Sequence, residues 1–311
     1  MRVVFMGTAE FAVPSLYGLI QAGHDLSLVI TQPDRPQGRG HKLKPGPIKA
    51  SAGDWGLDVF QPEDMRDPAV HKIIRDLNPQ VLAVVAYGKI LPEEMLNIPS
   101  LGSINVHGSL LPHYRGAAPI QRAIMAGEKI MGVTTMYMDK GMDTGDIILQ
   151  QGIEVRGDED YGEISALLAD LGAQLLVDTL VCIEEGKAPR FHQDHSRATY
   201  APPLTRDDEL IKWNQTNHYI KDQIRGLSPK PGAYTWWKEN KLKIFRTEIR
   251  DEVIPEAIGQ IIEIVPNRGF VVGTGRGGLM ITEVQKPGKK RISASEFLKG
   301  NDLCEGEHLG R

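Results

Sequence analysis

Asn105-Val106-His107 is where residue type and spacing in this chain first suggest chemistry. The triplet closes a run, Gly102-Ser103-Ile104-Asn105-Val106-His107, that reads as a β-strand. Residues two apart on a strand share a face, so a carboxamide and an imidazole project together. One donates hydrogen bonds and the other exchanges protons near neutral pH. Open α/β sheets place their sites at the carboxyl ends of parallel strands, which is where this pair falls. A lone histidine is more often structural. The amide beside it, and the Gly108-Ser109-Leu110-Leu111-Pro112-His113-Tyr114-Arg115-Gly116 that follows, turn the reading toward catalysis.

A carboxylate is available in Lys140-Gly141-Met142-Asp143-Thr144-Gly145-Asp146, a glycine-flanked acidic turn. Asp143-Thr144-Gly145 also spells the aspartic-protease triplet. Those enzymes need two carboxylates sharing a proton, and the chain has no second such triplet. Alone, Asp143 would stabilise its turn. Beside His107 it would favour and orient the protonated imidazole. There is no G-x-S-x-G motif, and neither Cys182 nor Cys304 has local signs of activation, so no covalent nucleophile is indicated. His192-x-x-His195 lies in a polar stretch without an obvious third ligand, and is read as surface histidines with no metal.

The elements that must position these residues follow from the apolar pattern. Arg2-Val3-Val4-Phe5-Met6, a helical stretch over 11–22 and an apolar run over 24–30 read as strand, helix, strand. Val81-Leu82-Ala83-Val84-Val85-Ala86 suits a strand buried on both faces of a parallel sheet. Residues 161–185 carry one apolar stripe at helical spacing, stopped by Gly186. After a polar stretch containing Pro202-Pro203, a helix near 216–225 precedes five short β-like runs separated by glycine and charged turns. The expected fold class is therefore α/β: a Rossmann-like, mostly parallel sheet over 1–188, a linker over 189–206, and a small β-barrel of OB type over 207–311.

The first strand–helix turn, Gly7-Thr8-Ala9-Glu10-Phe11, keeps only one glycine of the dinucleotide fingerprint, which disfavours NAD(P). Residues 32–49 carry Arg35, Arg39, Lys42, Lys44 and Lys49 against one acid, Asp34. A structureless loop of this length is usually functional or disordered, and the charge suits a flexible arm reaching for phosphates.

The chain has 311 residues, 41% hydrophobic and 24% charged, which excludes disordered and fibrous classes. Net charge is −4, divided as −6 over 1–206 and +2 over 207–311, so the total does not announce a nucleic-acid binder while the tail is mildly basic. Apolar runs fall short of the roughly 18–20 residues that cross a bilayer, and the N-terminal segment lacks a signal peptide's apolar region. With two cysteines, no disulfide framework is expected. The protein is expected to be cytoplasmic, with no membrane association.

With these residues in hand, the chain resembles the methionyl-tRNA formyltransferases, a family of folate-dependent formyltransferases. Phe5-Met6-Gly7-Thr8, Thr31-Gln32-Pro33-Asp34-Arg35-Pro36, Ala86-Tyr87-Gly88, the 104–121 segment and Met142-Asp143-Thr144-Gly145-Asp146 carry the resemblance. The N-x-H-x-S-L-L-P-x-Y-R-G pattern is shared with enzymes that formylate a purine precursor or an amino sugar, so it does not choose the acceptor. Arg225-Gly226-Leu227 through Ala233 departs from the aromatic pattern that family members often carry.

The resemblance implies formyl transfer from 10-formyltetrahydrofolate, a consumed co-substrate and not a bound cofactor, to the methionine of initiator Met-tRNA. Asn105 and His107 would stabilise the oxyanion, and Asp143 would accept the amine's proton. Tyr87, Gly88, Ile90, Leu91, Met138 and Asp139 would border the pterin, with Ser109, Leu110, Leu111 and Pro112 beside it. The basic 32–49 loop and the tail domain would contact tRNA. A monomer is expected, because a tRNA must straddle both domains. The alternatives left open are a small-amine formyltransferase, a folate hydrolase, a dinucleotide oxidoreductase and a non-enzymatic RNA binder.

Overall fold

The computed structural model describes residues 1–37, 42–253 and 258–310. The chain forms two compact units. One comprises Met1–Pro119, Ile130–Ile153 and Ser165–Pro202; the other comprises Ile120–Lys129, Glu154–Ile164 and Pro203–Arg311.

The first unit opens with β1 (Arg2–Gly7), α1 (Val13–Gln21) and β2 (Asp25–Ile30), followed by β3 (Arg35–Gln37), β4 (Lys42–Lys44), α2 (Pro47–Asp54) and β5 (Val59–Phe60). It continues through α3 (Pro68–Asp76), β6 (Val81–Val85), α4 (Glu93–Leu96) and β7 (Ser103–His107). Beyond α5 (Pro119–Met125) come β8 (Ile130–Tyr137), β9 (Ile147–Glu154) and the 24-residue α6 (Tyr161–Glu184).

The seven-stranded sheet runs β5-β2-β1-β6-β7-β8-β9. Its first five strands are parallel, and β8 is antiparallel to β7. Both faces are covered, as continuous apolar strands require. Val3, Phe5, Ala83, Val85, Ile104 and Val106 pack on one side with Leu176, Leu180 and Ile183 of α6. Val4, Met6, Leu82 and Val84 pack on the other with Ile74 and Met95. Packing against the sheet accounts for the apolar character of α6, the one helix among the described residues with the length and mean hydropathy (1.8) of a membrane span.

Strand order reverses between β1 and β6, where dinucleotide folds open their crevice. Here the turn after β1 is tightly packed. A Cβ on Gly7 would lie 2.8 Å from the Phe5 ring and 2.9 Å from Ala12 Cβ, so this glycine permits tight packing of the strand against its own turn. The Thr8 hydroxyl and the Gln32 amide both donate to the Tyr87 carbonyl, at 3.0 and 2.7 Å.

The basic stretch differs from the structureless arm expected of it. β3 and β4 pair as an antiparallel hairpin, with Pro36 opposite Leu43, and α2 starts immediately after with Pro47 in its first turn. Residues 38–41, Arg39 among them, lie outside the described residues. Residues 189–202, expected as linker, pack against the first unit: Phe191 bridges to Ile147, and Ala201 donates its N–H to the Arg115 carbonyl at 2.7 Å.

In the second unit, α7 (Arg206–Glu209) is capped by Thr205 and leads to α8 (Asn217–Leu227). The strands are β10 (Ala233–Trp237), β11 (Asn240–Arg250), β12 (Ile261–Val265), β13 (Gly269–Gly273), β14 (Gly278–Gln285) and β15 (Ile292–Ser293), before α9 (Ala294–Lys299). They pair antiparallel in the order β10-β11-β14-β13-β12, with β15 on β14, forming the expected small β domain. Isolated bridges from Leu210 to Tyr234 and from Gln260 to His308 supplement the strand pairing. Ile220, Ile224 and Leu227 of α8 share its core with Phe270, Ile281 and Phe297.

Residues 120–129 and 154–164 belong here because buried Arg225 donates to the carbonyls of Glu159 and Ile124, and Arg122 grips Asp208 at 2.6 and 2.9 Å. At the segment departing from the family pattern, a Cβ on Gly226 would meet Met125 Cγ at 2.8 Å and the Gln121 carbonyl at 3.2 Å. The close approach leaves no room for an aromatic side chain there.

Candidate active site

Strand β7 fixes the first two residues of the site. Ile104 and Val106 point into the core, which leaves Asn105 and His107 together on the opposite face. The Asn105 carboxamide has no protein partner among the described residues, so its donors are open to a ligand. His107 is 6% exposed, and its Nε2 lies 2.9 Å from the Tyr114 carbonyl. A carbonyl only accepts, so Nε2 carries a hydrogen and is engaged there. Any proton His107 gives to a substrate must therefore leave from Nδ1, which faces Asp143 Oδ2 at 3.7 Å.

That carboxylate is held by its own loop. Asp143 has φ +54°, a left-handed conformation that aspartate tolerates better than most residues, and its Oδ2 accepts the Gly116 N–H at 2.8 Å. Gly145 permits the loop: a Cβ there would sit 1.8 Å from the Tyr137 carbonyl. Asp139, expected beside the pterin, instead accepts from Gly141 N–H and the Thr144 hydroxyl at 3.0 and 2.7 Å, fastening the same turn.

Several residues expected around the folate are turned inward. The Tyr87 ring is 2% exposed in the core, its hydroxyl on Met65 Sδ at 2.9 Å, and burial pushes the phenol up to about 12. It has no open face for a pterin, because the chain beyond β6 bends through left-handed Ala86 and folds the ring back under the sheet. Leu91 is likewise core.

Ser109 donates to the His113 carbonyl at 2.6 Å, and Leu111 packs on Met136 and Ile147. Leu110, Pro112 and Met138 are half-buried. Ile90 is 89% exposed, and Gly88, at φ +79°, sits where a Cβ would meet Gln32 Nε2 at 2.9 Å. Cavities of 310 Å³ beside Tyr17 and Trp55 and of 520 Å³ beside His218 and Arg276 contain none of these residues.

Of the basic residues, Arg35 and Lys44 are exposed on the hairpin, Arg35 touching Gln32 Oε1 at 3.0 Å, and Lys42 lies in β4. Lys49 is committed to the fold: it binds Asp34 at 2.6 Å and Gln61 at 2.7 Å. Lys49, together with the Gln61 amide that donates to Asp34 Oδ1 at 2.9 Å, holds the Asp34 carboxyl below the usual carboxylate range.

A formyl transferase family model matches residues 1–180, and a formyl transferase C-terminal domain model matches residues 203–302. The chain belongs to the formyltransferase family. It is 50% identical over 310 residues to a protein of Moorella thermoacetica named methionyl-tRNA formyltransferase, covering 100% of this chain and 99% of that one. It is also 50% identical over 311 residues to one of the same name from Pelotomaculum thermopropionicum, with the same coverage.

Among solved structures, an N-formyltransferase from Helicobacter canadensis in complex with folinic acid and dTDP-3-aminofucose superposes with TM-score 0.66 at 20% identity, covering 91% of this chain and 98% of that one. HypX from Aquifex aeolicus in complex with tetrahydrofolic acid gives 0.64 at 16%, covering 96% of this chain and 47% of that one. The chain thus spans about half of HypX. Both likenesses concern the fold.

Beside Asp143 the structure also gathers Arg115, from the 104–121 segment, and Gln193, which carries no motif of its own. Arg115, 2% exposed, directs its guanidinium to Gln193 Oε1, with Nη2 at 2.6 Å, and to His195 Nδ1 at 3.2 Å. Gln193, 6% exposed, lies in the stretch expected as linker. Its near-total burial has no counterpart in the hydrophobic pattern. His192 pairs with Asp146 at 2.5 Å.

Proposed function

We propose that this chain transfers the formyl group of 10-formyltetrahydrofolate to the α-amino group of methionine on initiator tRNA. The observation that carries the reading is full-length kinship at 50% identity with proteins named for that reaction. The Asn105, His107 and Asp143 cluster gives it a chemical basis.

An amine attacking a formyl carbon builds negative charge on the formyl oxygen and sheds a proton. The Asn105 carboxamide and the His107 Nδ1–H supply hydrogen bonds where that charge develops. Asp143 balances the imidazolium across 3.7 Å and takes the amine's proton, directly or through one water. Transfer is direct: as the tetrahedral intermediate collapses, the bond from the formyl carbon to N10 breaks, N10 takes up the proton shed by the amine, and folate leaves as tetrahydrofolate.

The buried Tyr87 and Leu91 side chains give shape to the folate cleft from beneath, while Gly88, Ile90, Leu110, Pro112 and Met138 offer surfaces that a pterin can touch. Arg35, Lys42 and Lys44 on the hairpin, together with the β domain, bind tRNA phosphates, and Lys49 supports them through Asp34. In this reading, chemistry resides in 1–188 and RNA binding in 207–311, in a cytoplasmic monomer.

The test is formyl-methionine formation by the wild type and by His107→Ala. Loss of one oxyanion donor should lower the rate by about 100–1,000-fold. An alanine variant that is folded and fully active removes His107 from the chemistry.

A further inference from the structure

We infer that Gln193 is a positioning residue for formyl transfer, its carboxamide clamping the backbone on both sides of Asp143 so that the carboxylate meets His107. The inference rests on the reading of Asp143 as the proton acceptor.

The Gln193 amide nitrogen donates to the Asp143 carbonyl at 2.9 Å and to the Gly145 carbonyl at 2.7 Å. Its oxygen accepts from Arg115 Nε at 3.1 Å and from Nη2 at 2.6 Å. Backbone carbonyls only accept and a guanidinium only donates, so the amide can sit just one way round, with both donors and both acceptor positions used.

Arg115 also meets His195 Nδ1 from both terminal nitrogens at 3.2 Å, which makes that nitrogen an acceptor. The next residue, Gly116, donates to Asp143 Oδ2 at 2.8 Å. The contacts close a ring. It runs from the Asp143 carboxylate to Gly116, through the Arg115 side chain to Gln193, and back to the Asp143 and Gly145 carbonyls.

Two features point to orientation as the purpose of this ring. First, Asp143 sits at φ +54°, a conformation that persists where surrounding contacts over-determine it. Second, a guanidinium at 2% exposure whose partners, Gln193 and His195, carry no negative charge is a poor way to stabilise a fold. What the arrangement secures is the place of the Asp143 carboxylate, 3.7 Å from His107 Nδ1.

The experiment measures kcat and KM for Gln193→Ala, Gln193→Glu, Asp143→Ala and the double variant Gln193→Ala/Asp143→Ala, each checked for folding by its thermal midpoint. Gln193→Ala should lose about 100-fold in kcat, as for a displaced catalytic group, with KM for folate and tRNA within about threefold. In the Asp143→Ala background the same change should cost less than about threefold, because its target is gone. Gln193→Glu keeps an acceptor for Arg115, which supports folding, but turns acceptor oxygens on two carbonyls. It should lose kcat as the alanine variant does. Equal losses in both backgrounds, or a folded Gln193→Glu variant as active as wild type, would overturn the inference. Full activity of Asp143→Ala on its own would instead sink the proton-acceptor reading beneath it.

Discussion

Replacing Asp143 by asparagine separates charge from shape at the proposed proton acceptor. The two side chains are nearly isosteric, and an asparagine oxygen can keep the 2.8 Å contact from Gly116 N–H. What disappears is the negative charge 3.7 Å from His107 Nδ1. At that separation, opposite unit charges attract by about 4 kcal/mol at an effective dielectric of about 20. The side chains are 6% and 17% exposed, so salt screens the pair only weakly. Some 4 kcal/mol corresponds to about 1,000-fold in rate, within the range of about 100–10,000-fold for loss of a general base.

Single-turnover transfer, with both substrates saturating, should therefore slow about 1,000-fold, while KM stays within about threefold, because the lost carboxylate accepts the amine's proton only as the transition state is reached. The thermal midpoint should stay close to wild type. A folded Asp143→Asn variant within about tenfold of the wild-type rate would refute the electrostatic argument.

Gly145→Ala places a methyl 1.8 Å from the Tyr137 carbonyl, so the loop carrying Asp143 must move. Stability should fall by about 1–3 kcal/mol in a denaturant titration, with activity reduced more than tenfold, roughly the scale for overpacking and displacement. Acid stability depends on two carboxylates in the second unit. Asp208 is lowered to about 2 mainly by the Arg122 hydrogen bonds; Glu159 reaches about 2 because N–H donors from Arg156, itself and Gly157 outweigh the burial that raises it. Both values are depressed, so their contribution of about 2–3 kcal/mol each is present above pH 4–5 and lost as pH falls toward 2. Removing the guanidinium in Arg122→Ala should flatten that dependence in acid unfolding curves. Lys44→Ala should weaken tRNA binding and lower the salt slope by roughly 0.7–0.9, whereas Lys49→Met should chiefly destabilise the region around Asp34 and Gln61. Equal salt slopes for Lys44→Ala and wild type would remove Lys44 from the interface.

Most of the framework was legible because burial leaves a pattern. The run Val81-Leu82-Ala83-Val84-Val85 is buried at every position, as a central parallel strand should be, and the parity of Asn105 and His107 follows from Ile104 and Val106 lying in the core. Patterns lose their force where the chain leaves regular structure. Tyr87 follows β6 by two residues, and only the left-handed turn at Ala86 decides that its ring goes inward. The charges of residues 32–49 suggested one basic arm, yet Lys49 spends its ammonium on Asp34 across 15 residues. Gln193 and Arg115 are 78 residues apart, and a glutamine in a polar stretch gives no periodic sign that its amide is buried against the site.

Purified protein with 10-formyltetrahydrofolate should be offered initiator Met-tRNA, elongator Met-tRNA, free methionine and a nucleotide-linked amino sugar in parallel, with product identified by mass. Formyl-methionine should form on initiator tRNA at a rate far above that for every other acceptor. Formylation of the amino sugar without any tRNA product, or release of formate with no acceptor modified, would contradict it.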